Sequence, residues 1–274
     1  MKTLTSGNLR IPRLGFGTFR MPGDECQAVV ETALEVGYRH LDNAAMYDNE
    51  AAVGRAIQGA GIDRRDLFVT TKVWHDQLAP RAIEQSLETS LEKLALDYLD
   101  LFMVHWPTPA MDMPFIMATL MALEKSGRVR GIGVCNFTMP MLRHAIDDLG
   151  APIAAVQVEY HPFLPQTRLL DFLLDRDIPL VAYAPLAQGR AAHDPVLARI
   201  GDKHQATAAQ VAIAWLLDQD GVIAVPKARR PECQRANLEA LAIKLDAEDR
   251  AAIAALPKNL RYVQPPFAPA WDAD

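Results

Sequence analysis

Short apolar runs alternate along the chain with longer helix-like stretches. The runs at 39–42, 67–73, 98–105, 129–134, 154–158, 179–183 and 222–225 have the length of buried strands. A shorter one lies near 14–15. Helix-like stretches fall at 24–36, 50–58, 80–94, 114–125, 140–149, 167–175 and 206–217. Pro80, Pro114 and Pro140 sit at helix starts, where a missing N–H costs little. Gly37, Gly127 and Gly150 sit at helix ends, where a left-handed residue is wanted. Strands alternating with helices predict a parallel sheet joined by crossover helices.

That pattern suits either an open sheet or a closed barrel. The first βα junction, Gly15-Phe16-Gly17-Thr18-Phe19-Arg20, lacks the third glycine of the dinucleotide-binding G-x-G-x-x-G turn. The strand ends are more telling. Asp42, Lys72, His105, Asn136, Gln157, Tyr183 and Lys227 lie at or just past successive apolar runs, 21 to 44 residues apart. A barrel gathers all such ends on one rim, the rim that carries the active site in TIM-type enzymes. The expectation is therefore a (β/α)8 TIM barrel with its site at the C-terminal face of the strands. No linker-like tract divides the chain, so residues 1–274 read as a single barrel domain with a C-terminal tail from about 257.

Composition narrows the function classes. Hydrophobic residues at 50% and charged residues at 23% are globular values and argue against disorder. A net charge of −6 argues against a general nucleic-acid binder. Cys26, Cys135 and Cys233 are too dispersed for a disulfide framework or a zinc ribbon, and no HExxH occurs, so no metal site is expected. The amino terminus has no secretory apolar core and no run reaches 18 apolar residues. A cytoplasmic protein without membrane contact is expected, and Asn136-Phe137-Thr138 reads as a chance sequon.

Three segments stand out for chemistry: Leu41-Asp42-Asn43-Ala44-Ala45-Met46-Tyr47-Asp48-Asn49-Glu50, Thr70-Thr71-Lys72-Val73-Trp74 and Leu101-Phe102-Met103-Val104-His105-Trp106-Pro107. With Leu14-Gly15-Phe16-Gly17-Thr18-Phe19, Gly131-Ile132-Gly133-Val134-Cys135-Asn136-Phe137 and Val225-Pro226-Lys227, they resemble the aldo-keto reductase superfamily over nearly the whole chain. The closing Phe267-Ala268-Pro269-Ala270-Trp271-Asp272 is similar to the tail of bacterial 2,5-diketo-D-gluconate reductases of the B type.

The resemblance implies an NADPH-dependent, metal-free carbonyl reductase, with Tyr47 as general acid and Lys72, Asp42 and His105 completing a tetrad. The physical logic is consistent. Reduction of a carbonyl by hydride leaves an alkoxide that needs a proton, and a free phenol, titrating near pH ~10, is a weak donor. A neighbouring ammonium is expected to lower that value. The resemblance also implies that Tyr183 stacks on the nicotinamide, that Asn136 and Gln157 hold its carboxamide, and that Gly17, Thr18, Asp42 and Leu186 line the nucleotide.

Lys227, Arg229, Arg230 and Arg235 set four cations against Glu232 within nine residues. Guanidinium groups bind phosphate bidentately, so this cluster suits an adenosine 2′-phosphate. By resemblance, Lys227 and Arg230 take the phosphate and Asn237 the adenine, with Arg229 in support. Ala228 and Cys233 depart from the family pattern, which commonly has a hydroxyl residue and a stacking arginine there. Cys135 replaces a common serine.

Phe19, Trp74, His105 and Trp106, with Tyr47, predict an aromatic substrate mouth, and Arg190 is a candidate partner for a substrate carboxylate. The partner is expected to be a small carbonyl compound (a diketo sugar acid, a methylglyoxal-like dicarbonyl or a keto ester) and the chain a monomer. Two other readings remain: an NADPH-binding regulatory or sensor subunit, and a barrel lyase or hydrolase using Lys72 as a Schiff-base amine.

Overall fold

A computed structural model describes residues 2–272. In chain order its strands and α-helices are β1 (Thr3–Ser6), β2 (Leu9–Pro12), β3 (Phe16–Gly17), α1 (Gly23–Val36), β4 (His40–Asp42), α2 (Glu50–Gly59), β5 (Phe68–Val73), α3 (Pro80–Leu94), β6 (Leu101–Val104), α4 (Met113–Lys125), β7 (Ile132–Cys135), α5 (Met139–Arg143), β8 (Ile153–Glu159), α6 (Thr167–Leu174), β9 (Leu180–Tyr183), α7 (Pro195–His204), α8 (Ala208–Leu217), β10 (Val222–Ala224), α9 (Pro231–Glu239) and α10 (Ala247–Ala254).

Strands β3 to β10 pair with their sequence neighbours, all in parallel. The ring closes where Leu14 bridges Ala224 in parallel. There the Gly15 N–H donates to the Ala224 carbonyl at 2.9 Å and the Gly17 N–H to the Pro226 carbonyl at 3.0 Å. A Cβ on Gly17 would stand 2.9 Å from the Val225 carbonyl oxygen, so a side chain there would wedge the seam apart. The architecture is the expected (β/α)8 barrel.

Two apolar layers hold it together. Every residue of β5 and β8 is buried, as strands covered on both faces require. Outside the ring, strand residues such as Val69, Phe102, Val104 and Val156 pack with helix residues such as Leu87, Ile116, Leu120 and Leu173. Inside it, Phe68, Leu101, Met103, Cys135, Val181 and Ile223 form a separate cluster with Leu9 and Ile11. Leu9 and Ile11 come from the antiparallel β1–β2 hairpin, which stops the N-terminal end of the lumen. The lumen is thus filled from below, and polar side chains collect at the opposite rim.

The structure differs from the sequence expectations in places. The ladder of the first barrel strand runs at Phe16–Gly17, beyond the expected 14–15, where only the seam bridge lies. The helix expected over 140–149 is α-helical only to Arg143, then widens to a π-helical turn over His144–Asp148. The β1–β2 hairpin and helices α7, α9 and α10 are additional. Among the described residues no helix is long and apolar enough to cross a membrane.

Candidate active site

The rim assembles around a buried ion pair. Lys72, on β5, is fully buried, and its Nζ donates to Asp42 Oδ1 at 2.7 Å and to the Asn43 carbonyl at 2.7 Å. The other Asp42 oxygen accepts from Gln157 Nε2 at 2.7 Å. Burying two charges is costly unless their remaining valences are met, and here three hydrogen bonds meet them. Burial alone pulls the Lys72 ammonium down, but Asp42 and Tyr47 outweigh it and hold the group above the ordinary lysine range. An amine kept protonated by a buried carboxylate is a poor nucleophile, which argues against the Schiff-base reading.

Tyr47 ends a 3-10 turn, Ala45–Tyr47, that follows β4 and is closed by Asp48 at φ 52°. Its ring lies 5.3 Å from Lys72 Nζ, 5.7 Å from the His105 ring and 4.9 Å from the Phe19 ring. The expected lowering of its pKa is corrected by the structure. Burial pushes the phenol up, Lys72 pulls it back, and the balance stands at about 12. Desolvation outweighs the ammonium because the phenol ring is packed among Phe19, His105 and Lys72. The phenol is therefore protonated at neutral pH, with the ammonium favouring its anion over what burial alone would allow.

His105 follows β6, and its backbone N–H donates to the Val73 carbonyl at 3.0 Å. Trp74 meets its ring edge-on at 5.0 Å. Burial, reinforced by the charges of Lys72 and His75, holds its pKa well below the usual histidine range, so the imidazole is neutral. Its Nδ1 is buried with no partner among the described residues. His40, fully buried and beside the Pro12 carbonyl at 3.2 Å, is likewise pushed down by burial.

Both imidazoles bind a proton less readily in the folded chain than in the unfolded chain, which takes theirs up near pH ~6.5. Stability therefore falls as pH drops through that value, by up to about 1.4 kcal/mol per imidazole per pH unit. Urea unfolding at pH 7.5 and 5.5 is expected to show this loss, and His40→Asn is expected to shrink it.

Beyond the ion pair, Asn136 stitches three strand ends together. It sits at φ 62°, donates its Nδ2 to the His105 carbonyl at 3.0 Å, and accepts at Oδ1 from the Tyr183 hydroxyl at 2.8 Å. Tyr183 is half-buried at the end of β9 and packs on the lumen cluster. Thr18 donates to Asn43 Oδ1 at 2.8 Å. Leu186 lies half-buried in the loop after β9. In that loop, the Arg190 guanidinium lies 4.9 Å from the Phe163 ring centroid.

The basic cluster follows β10. Lys227, Arg229 and Arg230 are exposed. Arg229 pairs with Glu25 at 2.9 Å and Arg230 with Glu232 at 3.3 Å. Such exposed pairs are weak and yield readily to a phosphate. Asn237 is buried on α9 beside the Tyr38 hydroxyl. With the rim residues above, these groups fit a nicotinamide dinucleotide.

The sequence reading did not place the C-terminal tail. Glu159, the last residue of β8, is fully buried, and it accepts from the N–H groups of Tyr262 at 2.7 Å and Val263 at 2.9 Å. The tail then returns across the aromatic mouth. Phe267 meets Trp74 at 5.7 Å, His75 at 4.0 Å and Trp106 at 5.6 Å, and Trp271 meets Trp106 at 6.0 Å. In the sequence the tail shows three aromatics, Tyr262, Phe267 and Trp271, among prolines, a pattern that marks no contact partner.

Residues 13–258 match the model of the aldo/keto reductase family. The chain belongs to the aldo/keto reductase family. Relatives include methylglyoxal reductase DkgB of Salmonella typhi, 44% identical over 268 residues that cover 96% of this chain and all of that one. The Escherichia coli O157:H7 protein of the same name is 43% identical over the same shares. A crystal structure provisionally described as a 2,5-diketo-D-gluconic acid reductase B superposes with a TM-score of 0.96 at 41% identity, covering 100% of this chain and 98% of that one. Aldose reductase from Schistosoma japonicum superposes with a TM-score of 0.92 at 29% identity, covering 98% and 99%. Aldo/keto reductases act on small carbonyl compounds and generally use NAD(P)H, so family membership supports carbonyl reduction by this chain.

Proposed function

We propose that this aldo/keto reductase reduces aldehydes, ketones and dicarbonyls with NADPH, and that Tyr47 is its general acid. One observation carries the reading: a protonated phenol, a charged buried ammonium and a neutral imidazole share one rim of the barrel. A reduced nicotinamide held by these residues would supply the hydride for the carbonyl carbon. Tyr47 Oη gives its proton to the oxygen as negative charge builds there. Lys72 stabilises the phenolate left behind, and Asp42 keeps Lys72 charged and in place. His105, neutral, donates one ring N–H to the carbonyl oxygen and orients it; which nitrogen carries that proton follows from the partner it meets. Phe19, Trp74 and Trp106 exclude water from the reacting oxygen.

For the nucleotide, Tyr183 offers a ring face and Asn136 and Gln157 offer amides. Gln157 Nε2 donates to Asp42, so its Oε1 would be the atom that accepts from a carboxamide. Gly17, Thr18 and Leu186 shape the channel, and Asn237 meets the base. Lys227, Arg229 and Arg230 favour a 2′-phosphate. A charge-assisted hydrogen bond to such a group contributes about 1.5–3 kcal/mol, roughly ten- to a hundredfold in kcat/KM. NADPH is therefore expected to outperform NADH by at least tenfold. Lys227→Ala and Arg230→Ala are expected to narrow that gap through the KM for NADPH. Equal kcat/KM for the two cofactors in the unsubstituted protein rejects the phosphate assignment.

The substrate class is read from the mouth and from what the relatives' names say those proteins reduce. Aromatic walls suit a compact carbonyl, and we assign small dicarbonyls and keto acids as the first candidates. The test follows reduced-nicotinamide absorbance across a carbonyl panel, with Tyr47→Phe as the control. Absence of oxidation with every reactive dicarbonyl overturns the reading.

A further inference from the structure

Between the tail and the residues that follow β7 and β8, the structure holds a cavity of about 480 Å³. That volume is in the range of small-molecule sites. Its inner wall is apolar: Phe137, Val158, Leu164 and Leu169, with Trp271 opposite. Three cations line it, Arg168, Lys258 and Arg261, against a single carboxylate, Asp272, among the described residues. The cations available to a ligand head there are Lys258 and Arg261. The one carboxylate is already engaged, because Asp272 Oδ2 accepts from the Met139 N–H at 2.6 Å.

Arg261 lines the cavity and has one donor nitrogen unmet. Its guanidinium stacks 3.8 Å from the Trp271 ring centroid, and its Nη1 is buried with no partner among the described residues. A buried donor without an acceptor is costly, and an anionic ligand oxygen removes that cost. Lys258 Nζ donates to the Pro162 and Ile253 carbonyls at 2.7 Å each, which fixes the ammonium at the rim and leaves one of its three N–H bonds. The buried Glu159 carboxylate acts on Arg261 from the strand side, but its oxygens are taken by Tyr262, Val263 and His161.

We propose that this cavity is a second binding site, for a small organic anion: a carboxylate or sulfonate on an aromatic or branched apolar frame. The frame lies against Phe137, Leu164 and Leu169, and the anionic head meets Arg261 and Lys258. Its occupant braces the tail, because Arg261 adjoins the two backbone groups held by Glu159, and Trp271 packs on Trp106 at the mouth. The site is separate from the proposed reaction and is tested by binding alone.

The probe is 8-anilino-1-naphthalenesulfonate, titrated calorimetrically against the full chain with NADP+ present. Three variants separate the sites. Arg261→Met removes the unpartnered donor, Asn259→Trp fills the cavity from an exposed position, and Trp74→Ala opens the aromatic mouth. The expected result is a binding event that weakens at least tenfold in both Arg261→Met and Asn259→Trp and persists in Trp74→Ala. Unchanged thermal midpoints in the exposed Asn259→Trp variant keep the comparison free of misfolding. If no event shows that pattern, the probe binds only at the mouth or nonspecifically, and the second site is overturned.

Discussion

Replacing Tyr47 by phenylalanine is expected to lower kcat for carbonyl reduction by about 10²–10⁴-fold, the range for loss of a general acid. Phenylalanine keeps the ring, and with it the contacts to Phe19 and His105, so the fold is expected to tolerate the change. Only the hydroxyl is lost. Its interaction with substrate grows as negative charge develops on the carbonyl oxygen, so kcat and kcat/KM should fall together. Nucleotide affinity, read by quenching of protein fluorescence on titration, should stay within a few fold. Undiminished turnover with any good substrate rejects Tyr47 as the proton donor. The phenol stands at about 12 in the native protein, so its own ionisation should not limit the rate below pH 9.

The second large effect is on stability. Lys72→Met leaves the Asp42 carboxylate buried, with the Gln157 amide on one oxygen and no cation on the other. Removing one partner of a buried pair typically costs about 3–5 kcal/mol. Replacing both costs less, because Asp42→Asn removes the stranded charge. The double variant is thus expected to be more stable than Lys72→Met alone, although neither should turn over substrate. Urea unfolding of the two singles and the double closes the cycle. A loss below about 1 kcal/mol in Lys72→Met would mean that the carboxylate protonates or reaches water, contrary to a pair fully enclosed by the barrel.

These two expectations rest on residues that were legible from the chain alone. Asp42, Lys72 and His105 each close an apolar run with a polar side chain, and strand ends of a parallel barrel must meet. What could not be read is how much water leaves. The sequence shows that an ammonium and a phenol are neighbours. Only the packing of Phe19, Trp74 and His105 around them shows that desolvation outweighs the ammonium and moves the phenol upward.

The missing elements have similar physical causes. The β1–β2 hairpin strands hold four residues each, too short for periodicity to register, although Gly7 at φ 53° marks the turn between them. Helix α9 presents mainly polar residues and buries only Gln234 and Asn237, so no apolar stripe announces it. Helix α10 did carry a signal, the reciprocal Asp246–Asp249 capping box, and α7 another, Asp194 ahead of Pro195. The partner of Arg230 is two residues away and visible; that of Arg229 is Glu25, on the far side of the seam.

That seam has a consequence for how the protein is made. Gly17 lies in register with Asp42 on one side and hydrogen-bonds Pro226 on the other. As the chain leaves the ribosome, the first strand therefore waits for more than two hundred further residues before its second neighbour exists. Until then the first strand has an unpaired edge on the side away from Asp42, and the lumen lacks Ile223 and Val225. The machinery for chemistry is completed by the last strand to be synthesised, so a stalled or truncated product holds the reactive residues without the enclosure that makes them work.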